Sequence, residues 1–137
     1  MSALGLTCKR CAVDLDEVWV NLCASRERTV PIGPSTIETQ VLEAWSLDAW
    51  CPKCGDEATL QHEFARRGLV AVAVVADPPT PLCARCQGAF IDEEADHLVV
   101  MVGLEEISGS SVQPLEYWLR AVVCPNCEAA LRQEGHL

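Results

Sequence analysis

The chain has 137 residues, half of them apolar, and a formal net charge of −10. The apolar half excludes a disordered acidic tail, and the negative charge opposes binding along a phosphate backbone. The longest apolar run is the eight residues of 69–76, whereas a membrane-spanning helix needs roughly 20, so we expect no membrane segment.

The first predicted elements are a C-x-x-C pair, Cys8 and Cys11, and a strand over residues 18–22. Apolar and β-branched residues dominate that strand. A polar turn is predicted over residues 26–34. A helix over residues 35–45 follows, because Ser35 and Glu38 have the spacing of a capping box and later apolar residues recur at helical intervals.

A second C-x-x-C pair, Cys51 and Cys54, precedes another predicted helix over residues 58–65. Its apolar residues are spaced for one helical face, and Gly68 is suited to end it. The Val-rich segment 69–76 then predicts a buried strand.

Three prolines fall within residues 77–82, which predicts a short and rather stiff connection between two parts of the chain. We therefore expect a first module over residues 1–76, a linker over residues 77–82 and a second module over residues 83–137.

The second module repeats the order of the first. A strand is predicted over residues 98–102, a turn over 105–111 and a helix over 114–122, although residues 121–123 could form a short strand instead. A short helix over residues 128–133 follows the last C-x-x-C pair.

Spacing and identity both indicate an internal duplication. The first pairs of the two modules are 75 residues apart and the second pairs are 73 apart. A Leu-Glu-x-Trp sequence begins nine residues before Cys51, at Leu42, and again nine residues before Cys124, at Leu115. The sequence therefore predicts an α+β fold of two tandem modules, each with a short antiparallel sheet and one or two short helices.

The paired cysteines are the candidate metal ligands. Two residues between cysteines let a tight turn aim both sulfurs at one point, and two such turns supply the four tetrahedral donors that zinc prefers. We therefore predict two zinc ions per chain, with no catalytic or cofactor-binding residues besides these metal ligands. The eight predicted ligands are Cys8, Cys11, Cys51, Cys54, Cys83, Cys86, Cys124 and Cys127.

Several alternatives exist for these cysteines. Duplication of a self-sufficient unit favours sequential pairing within each module over a cross-braced arrangement. Redox C-x-x-C motifs, disulfides and iron–sulfur clusters are the competing chemistries. Because the N-terminus lacks the pattern of a signal peptide, we expect a cytoplasmic location, where metal is favoured over disulfides.

The arrangement resembles the treble-clef and zinc-ribbon groups of zinc fingers. In treble clefs a first C-x-x-C knuckle precedes a hairpin and a second C-x-x-C opens a helix. The sequences Cys-Pro-Lys-Cys at 51–54 and Cys-Pro-Asn-Cys at 124–127 resemble that second element. The resemblance implies the same order in both modules, although the helices predicted between the pairs depart from a simple hairpin.

A few other residues carry predictions. The ninth cysteine, Cys23, is expected to be a small buried side chain, with a reactive thiol as the alternative. Trp45 and Trp118 occupy matching positions and are predicted to be core, which leaves Trp19 and Trp50 as surface candidates. We expect His97 to lie in a solvated acidic turn.

The functional expectation is a non-catalytic module that binds another protein. Four protein donors leave a zinc ion no open position for chemistry. Twenty acidic residues against ten basic ones favour a basic partner, such as a nucleic-acid-handling protein, and disfavour nucleic acid itself. Direct nucleic-acid binding by a zinc-ribbon protein is the alternative. The oligomeric state stays open.

Overall fold

The computed structural model describes residues 6–31, 33–34, 37–74, 82–88, 96–108 and 111–137. Within these ranges no helix has the length and apolar character needed to cross a membrane. The elements in chain order are β1 (Val18–Pro31), β2 (Ile37–Trp50), α1 (Glu57–Arg66), β3 (Val72–Ala73), β4 (Asp96–Ser108), β5 (Ser111–Val123) and α2 (Pro125–Gln133).

The strands form one antiparallel sheet in the order β2-β1-β4-β5-β3. Each half of the chain contributes a long hairpin, β1–β2 or β4–β5, and the two hairpins join through β1 and β4. The predicted α+β class is confirmed, but the sheet is shared between the halves. The predicted division of the chain stays a prediction, because residues 77–81 lie outside the described ranges.

The two hairpins are related by a pseudo-twofold axis. The residue directly before Cys51 pairs with Val20, and the residue directly before Cys124 pairs with Leu98. Val20 and Leu98 therefore occupy equivalent positions in the two hairpins. On this basis Cys23 is equivalent to Met101, and these two residues pair with each other in the uninterrupted β1–β4 ladder. The axis therefore passes between Cys23 and Met101.

This symmetry separates the bases of the two hairpins. Val20 pairs with Leu104, whereas Leu98 pairs with Arg26 six residues further along β1. At about 3.3 Å per residue, the two bases are roughly 20 Å apart along the strand direction. The cysteine pairs that flank each base consequently lie toward opposite ends of the central strand pair.

The predicted helices over residues 35–45 and 114–122 are wrong, because these stretches belong to β2 and β5. The strands β2 and β5 each contain two β-bulges. One bulge lies at an equivalent position in both hairpins, and its extra residue is Leu42 in β2 and Leu115 in β5. A bulge shifts the alternation of side chains by one residue, which gives the apolar residues a spacing that resembles a helix. Ser35 lies outside the described residues.

The predicted strands over residues 18–22 and 98–102 are confirmed as parts of longer strands. The predicted turns over 26–34 and 105–111 are mostly wrong, since β1 continues to Pro31 and β4 to Ser108. The helices after the second cysteine pairs are confirmed. Gly68 and Gly135 follow α1 and α2 with φ of 74° and 79°, values that favour glycine.

Most of the core cluster lies on one face of the sheet. Alternate β1 and β4 residues pack there with Leu60 and Phe64 of α1 and Leu131 of α2. The β1 and β4 residues of this cluster are Trp19, Val20, Leu22, Ala24, Leu98, Val100 and Val102.

Two burial predictions are wrong and a third is only partly confirmed. Trp19 and Trp50 are buried, whereas Trp45 and Trp118 are only partly buried. The reason is position, since Trp50 ends β2 at the base of its hairpin and Trp19 lies near the start of β1. His97 is buried within β4 rather than in a solvated turn; residues 93–95 lie outside the described ranges.

The segment that begins at Leu69 is not a buried strand. Leu69 itself is buried, but Val70, Val72 and Val74 are exposed, and only two residues form β3. This segment lies at the outer edge of the sheet, so only one of its sides contacts the rest of the protein. Residues 75 and 76 lie outside the described ranges.

Candidate metal centres

Each module begins with a knuckle that has the same backbone geometry. The N–H of the first cysteine, Cys8 or Cys83, donates to the carbonyl five residues later, and its own carbonyl accepts from the N–H four residues later. All four of these distances are 2.9 Å. Ala12 and Gln87, each four residues after the first cysteine of its pair, have φ of 63° and 61°. This conformation closes the turn at some energetic cost, because both residues have a Cβ.

The second cysteine pair follows the hairpin and precedes a helix in both modules. In the first module the N–H groups of Cys54 and Gly55 both donate to the Cys51 carbonyl at 3.0 Å. The helix α1 begins after Asp56, whose carboxylate accepts from the Thr59 N–H at 2.8 Å. This is the Asx N-cap that stabilises a helix start.

The second module brings its helix closer to the cysteines. Cys124 is itself the N-cap of α2, Pro125 occupies the first turn, and Cys127 lies within the helix. Proline is well suited to this position because the first-turn N–H groups have no partner within the helix. Knuckle, hairpin and helix thus occur twice, in the order that the treble-clef resemblance implies.

The structure gathers the eight paired cysteines into two tetrads. In each tetrad the four sulfur atoms lie within 4.8 Å of one another, and Cys11 Sγ is 3.8 Å from Cys51 Sγ. A tetrahedron with metal–sulfur bonds of about 2.3 Å has edges of about 3.8 Å. The grouping is sequential within each module: Cys8, Cys11, Cys51 and Cys54 in the first tetrad, and Cys83, Cys86, Cys124 and Cys127 in the second.

The two tetrads also match in their burial. The first cysteine of each is buried, the second is exposed, and the third and fourth are half-buried. The described cysteines are all free thiols rather than disulfides. Each tetrad therefore has one side against the protein core and one side at the surface.

Backbone N–H groups prepare one thiolate in each tetrad. Burial opposes ionisation of Cys8, but hydrogen bonds from the backbone of Cys11 and Cys51 outweigh it and lower its pKa to about 6. Cys83 has the same balance: burial opposes ionisation, yet backbone hydrogen bonds, that of Cys124 foremost, lower its pKa to about 6. The Cys124 N–H lies 3.5 Å from the Cys83 sulfur.

The later cysteines show the opposite shift. Hydrogen bonding to the Cys51 side chain, followed by burial, raises the pKa of Cys54 to about 12. Burial, followed by hydrogen bonding to the Cys124 side chain, raises the pKa of Cys127 well above its usual range. Without a cation, repulsion between thiolates this close together prevents several of the four cysteines from ionising at once. A bound divalent cation favours the thiolate form of all four. The residues present therefore fit a metal ion in each tetrad.

A charge network that no sequence pattern predicted supports the first tetrad. Arg67 lies 2.7 Å from both Glu63 and Asp48, and Lys9, inside the first knuckle, lies 3.1 Å from Glu63 and 3.0 Å from Asp48. These ion pairs tie the knuckle to α1 and to the end of β2. The i,i+4 spacing of Glu63 and Arg67 was a detectable signal, but nothing local pointed to Asp48.

The ninth cysteine belongs to neither tetrad. Cys23 is half-buried in β1 beside the pseudo-twofold axis. Burial, followed by repulsion from Glu105, raises its pKa to about 11. A raised pKa opposes the alternative of a reactive thiol, because the thiolate is the nucleophile.

No model of a known protein family matches the chain, and neither a curated protein nor a solved structure does. The proposed function therefore rests on the tetrads, the charges and the sheet themselves.

Proposed function

We propose that the protein is a non-catalytic zinc-binding module that presents an acidic surface to a basic protein, such as one that handles nucleic acid. The observation that carries this proposal is the pair of four-sulfur tetrads. Each has the donor number, donor type and sulfur separation of a closed structural zinc site.

The proposal of zinc rests on size and donor type. Sulfur separations within 4.8 Å suit a single ion, since a multi-iron cluster lies between its cysteines and holds their sulfurs farther apart. A tetrahedral set of four thiolates is a preferred zinc environment. The proposal that the ions are structural rests on saturation, because four protein donors leave no position for water or substrate.

The proposal of a protein partner rests on how the basic side chains are used. Within the part of the chain that the structure describes, seven of the ten Lys and Arg side chains form ion pairs, so little of their charge is available to a phosphate backbone. These seven are Lys9, Arg26, Arg28, Arg66, Arg67, Arg85 and Arg132. The twenty acidic residues leave a surplus of negative charge that suits a basic partner.

Two measurements test the proposal. Elemental analysis of the purified chain should give two zinc ions per chain and negligible iron. Affinity purification at low and high salt, with nuclease added, should retain protein partners whose recovery falls as salt rises. One zinc ion per chain, or an iron protein, would refute the metal assignment. Recovery of nucleic acid with no protein left after nuclease treatment would favour direct nucleic-acid binding instead.

A further inference from the structure

The strand β2 forms one outer edge of the sheet. Twelve of its 14 residues pair with β1 on one side, and no strand among the described residues pairs with its other side. Residues 38–44 are exposed without interruption. An edge strand of this length presents a row of N–H and C=O groups to which another extended segment can add.

The side chains of this edge are acidic and apolar. Residues 37–50 include Glu38, Glu43 and Asp48 but no lysine or arginine. Asp48 is already paired with Lys9 and Arg67, which leaves Glu38 and Glu43 for a partner; Glu43 is 59 % exposed and lies 4.0 Å from Arg26 of β1. Val41 is 60 % exposed and Leu42 is 44 % exposed. Natural edge strands are commonly protected by lysine, so an edge with this composition matches a segment that brings basic and apolar residues of its own.

The opposite edge of the sheet is partly closed to such addition. There β3 pairs with β5 at Leu119 and Arg120. Further along β5, Pro114 occupies the position equivalent to Val41 in the other hairpin, and proline has no N–H to donate. The two hairpins share the Leu-Glu-x-Trp sequence, yet among the described residues only the first hairpin has an outer edge free of both a pairing strand and a proline.

A second copy of the chain is a poor occupant. Antiparallel pairing of two β2 strands would bring Glu38 and Glu43 of both copies to one interface, with no basic residue on either strand. Like charges opposite each other destabilise a strand pair. Charge complementarity therefore selects a basic segment over a second copy.

We propose that β2 accepts an extended basic segment of a partner protein, which adds to the sheet as a sixth strand. Its backbone pairs with the outer edge of β2, its basic side chains face Glu38 and Glu43, and its apolar side chains contact Val41 and Leu42. This inference rests on the proposed function and names the surface that performs it.

The test uses the full zinc-loaded chain and a fluorescently labelled twelve-residue peptide that alternates lysine with valine. Binding is measured by fluorescence anisotropy, and the site is located by amide hydrogen exchange. Val41→Pro should weaken binding by about tenfold or more, since it removes a backbone donor at the edge. The hairpin should tolerate this change because Pro114 is accommodated at the equivalent position of β5.

Matched variants separate the edge from general charge. Leu42→Ser should weaken binding, whereas Leu115→Ser should leave it unchanged, since Leu115 is the equivalent bulge residue on the partly closed edge and is similarly exposed, at 49 %. The same peptide with glutamate in place of lysine should not bind. Amide protection should increase along β2.

Failure of this inference can be told apart from failure of the proposed function. If the lysine peptide does not bind, or if Val41→Pro binds it as tightly as the unchanged chain, β2 is not the docking edge. Zinc content and the salt-sensitive recovery of protein partners would still decide the proposed function. Protection along β5 instead of β2 would also overturn the inference.

Discussion

The buried arginine at the end of α1 gives a sharp prediction about stability. The Arg67 side chain is only 5 % exposed and lies 2.7 Å from a carboxylate oxygen of both Glu63 and Asp48. It also donates to the backbone carbonyls of Glu63 at 3.1 Å and His136 at 3.2 Å. Arg67→Met would keep much of the apolar packing while it removes every one of these contacts.

The expected cost is set by the charges that remain. Removing one partner of a buried ion pair costs about 3–5 kcal/mol, because the other partner is left buried without compensation. Lys9 still lies 3.1 Å from Glu63 and 3.0 Å from Asp48, which points to the lower end. We expect a loss of about 3 kcal/mol, equivalent to a fall in Tm of roughly 10 °C for a chain of this size.

Arg66 provides the matched control. It contacts the same two carboxylates, at 3.0 Å to Glu63 and 3.9 Å to Asp48, but its side chain is 44 % exposed. Solvent screens such a pair, so Arg66→Met should cost at most about 1 kcal/mol. Urea unfolding of both zinc-saturated variants, followed by tryptophan fluorescence, measures the difference. If Arg67→Met costs no more stability than Arg66→Met, the reasoning from burial is refuted.

Three further predictions concern the knuckles and the thiols. Ala12→Gly should stabilise the zinc-loaded protein by about 1 kcal/mol, because glycine adopts a φ of 63° without a Cβ penalty; lower resistance to urea would contradict this. Alkylation of Cys23 by iodoacetamide at pH 8 should be about 100-fold slower than that of a thiol with the ordinary pKa of 9, because the pKa of Cys23 is raised to about 11. The alkylation rate should rise about tenfold per pH unit until the pH reaches that pKa. Mass spectrometry measures this rate, and a rate that does not change with pH would contradict the prediction. Cys11→Ser should lower zinc content and resistance to thermal unfolding, whereas Cys23→Ser should leave two zinc ions per chain by elemental analysis; release of zinc from Cys23→Ser would show that the ligand set is wrong.

The parts of the fold that were predictable depend on residues near one another in sequence. The spacing within a C-x-x-C pair identifies a tight turn, and the duplication identifies which pairs belong together. The helices that follow Cys54 and Cys124 were likewise evident, because a helix start and a C-terminal glycine such as Gly68 are local features.

The parts that were not predictable depend on pairing across the chain. Bulges at Leu42 and Leu115 disturbed the alternation that would have identified β2 and β5 as strands. The shared sheet depends on the pairing of β1 with β4, whose members are about 80 residues apart, and no local pattern encodes it. The burial of Trp19 and Trp50 follows from that same assembly.

The pseudo-twofold axis between Cys23 and Met101 has a consequence for a single half of the chain. The β1–β4 contact has the form of an isologous dimer interface, in which the same strand of two subunits pairs about a symmetry axis. A polypeptide that contained only the first hairpin and its tetrad would expose the edge of β1 and could form a homodimer in the same register. Two copies of Cys23 would then lie opposite each other, and light scattering would show twice the monomer mass.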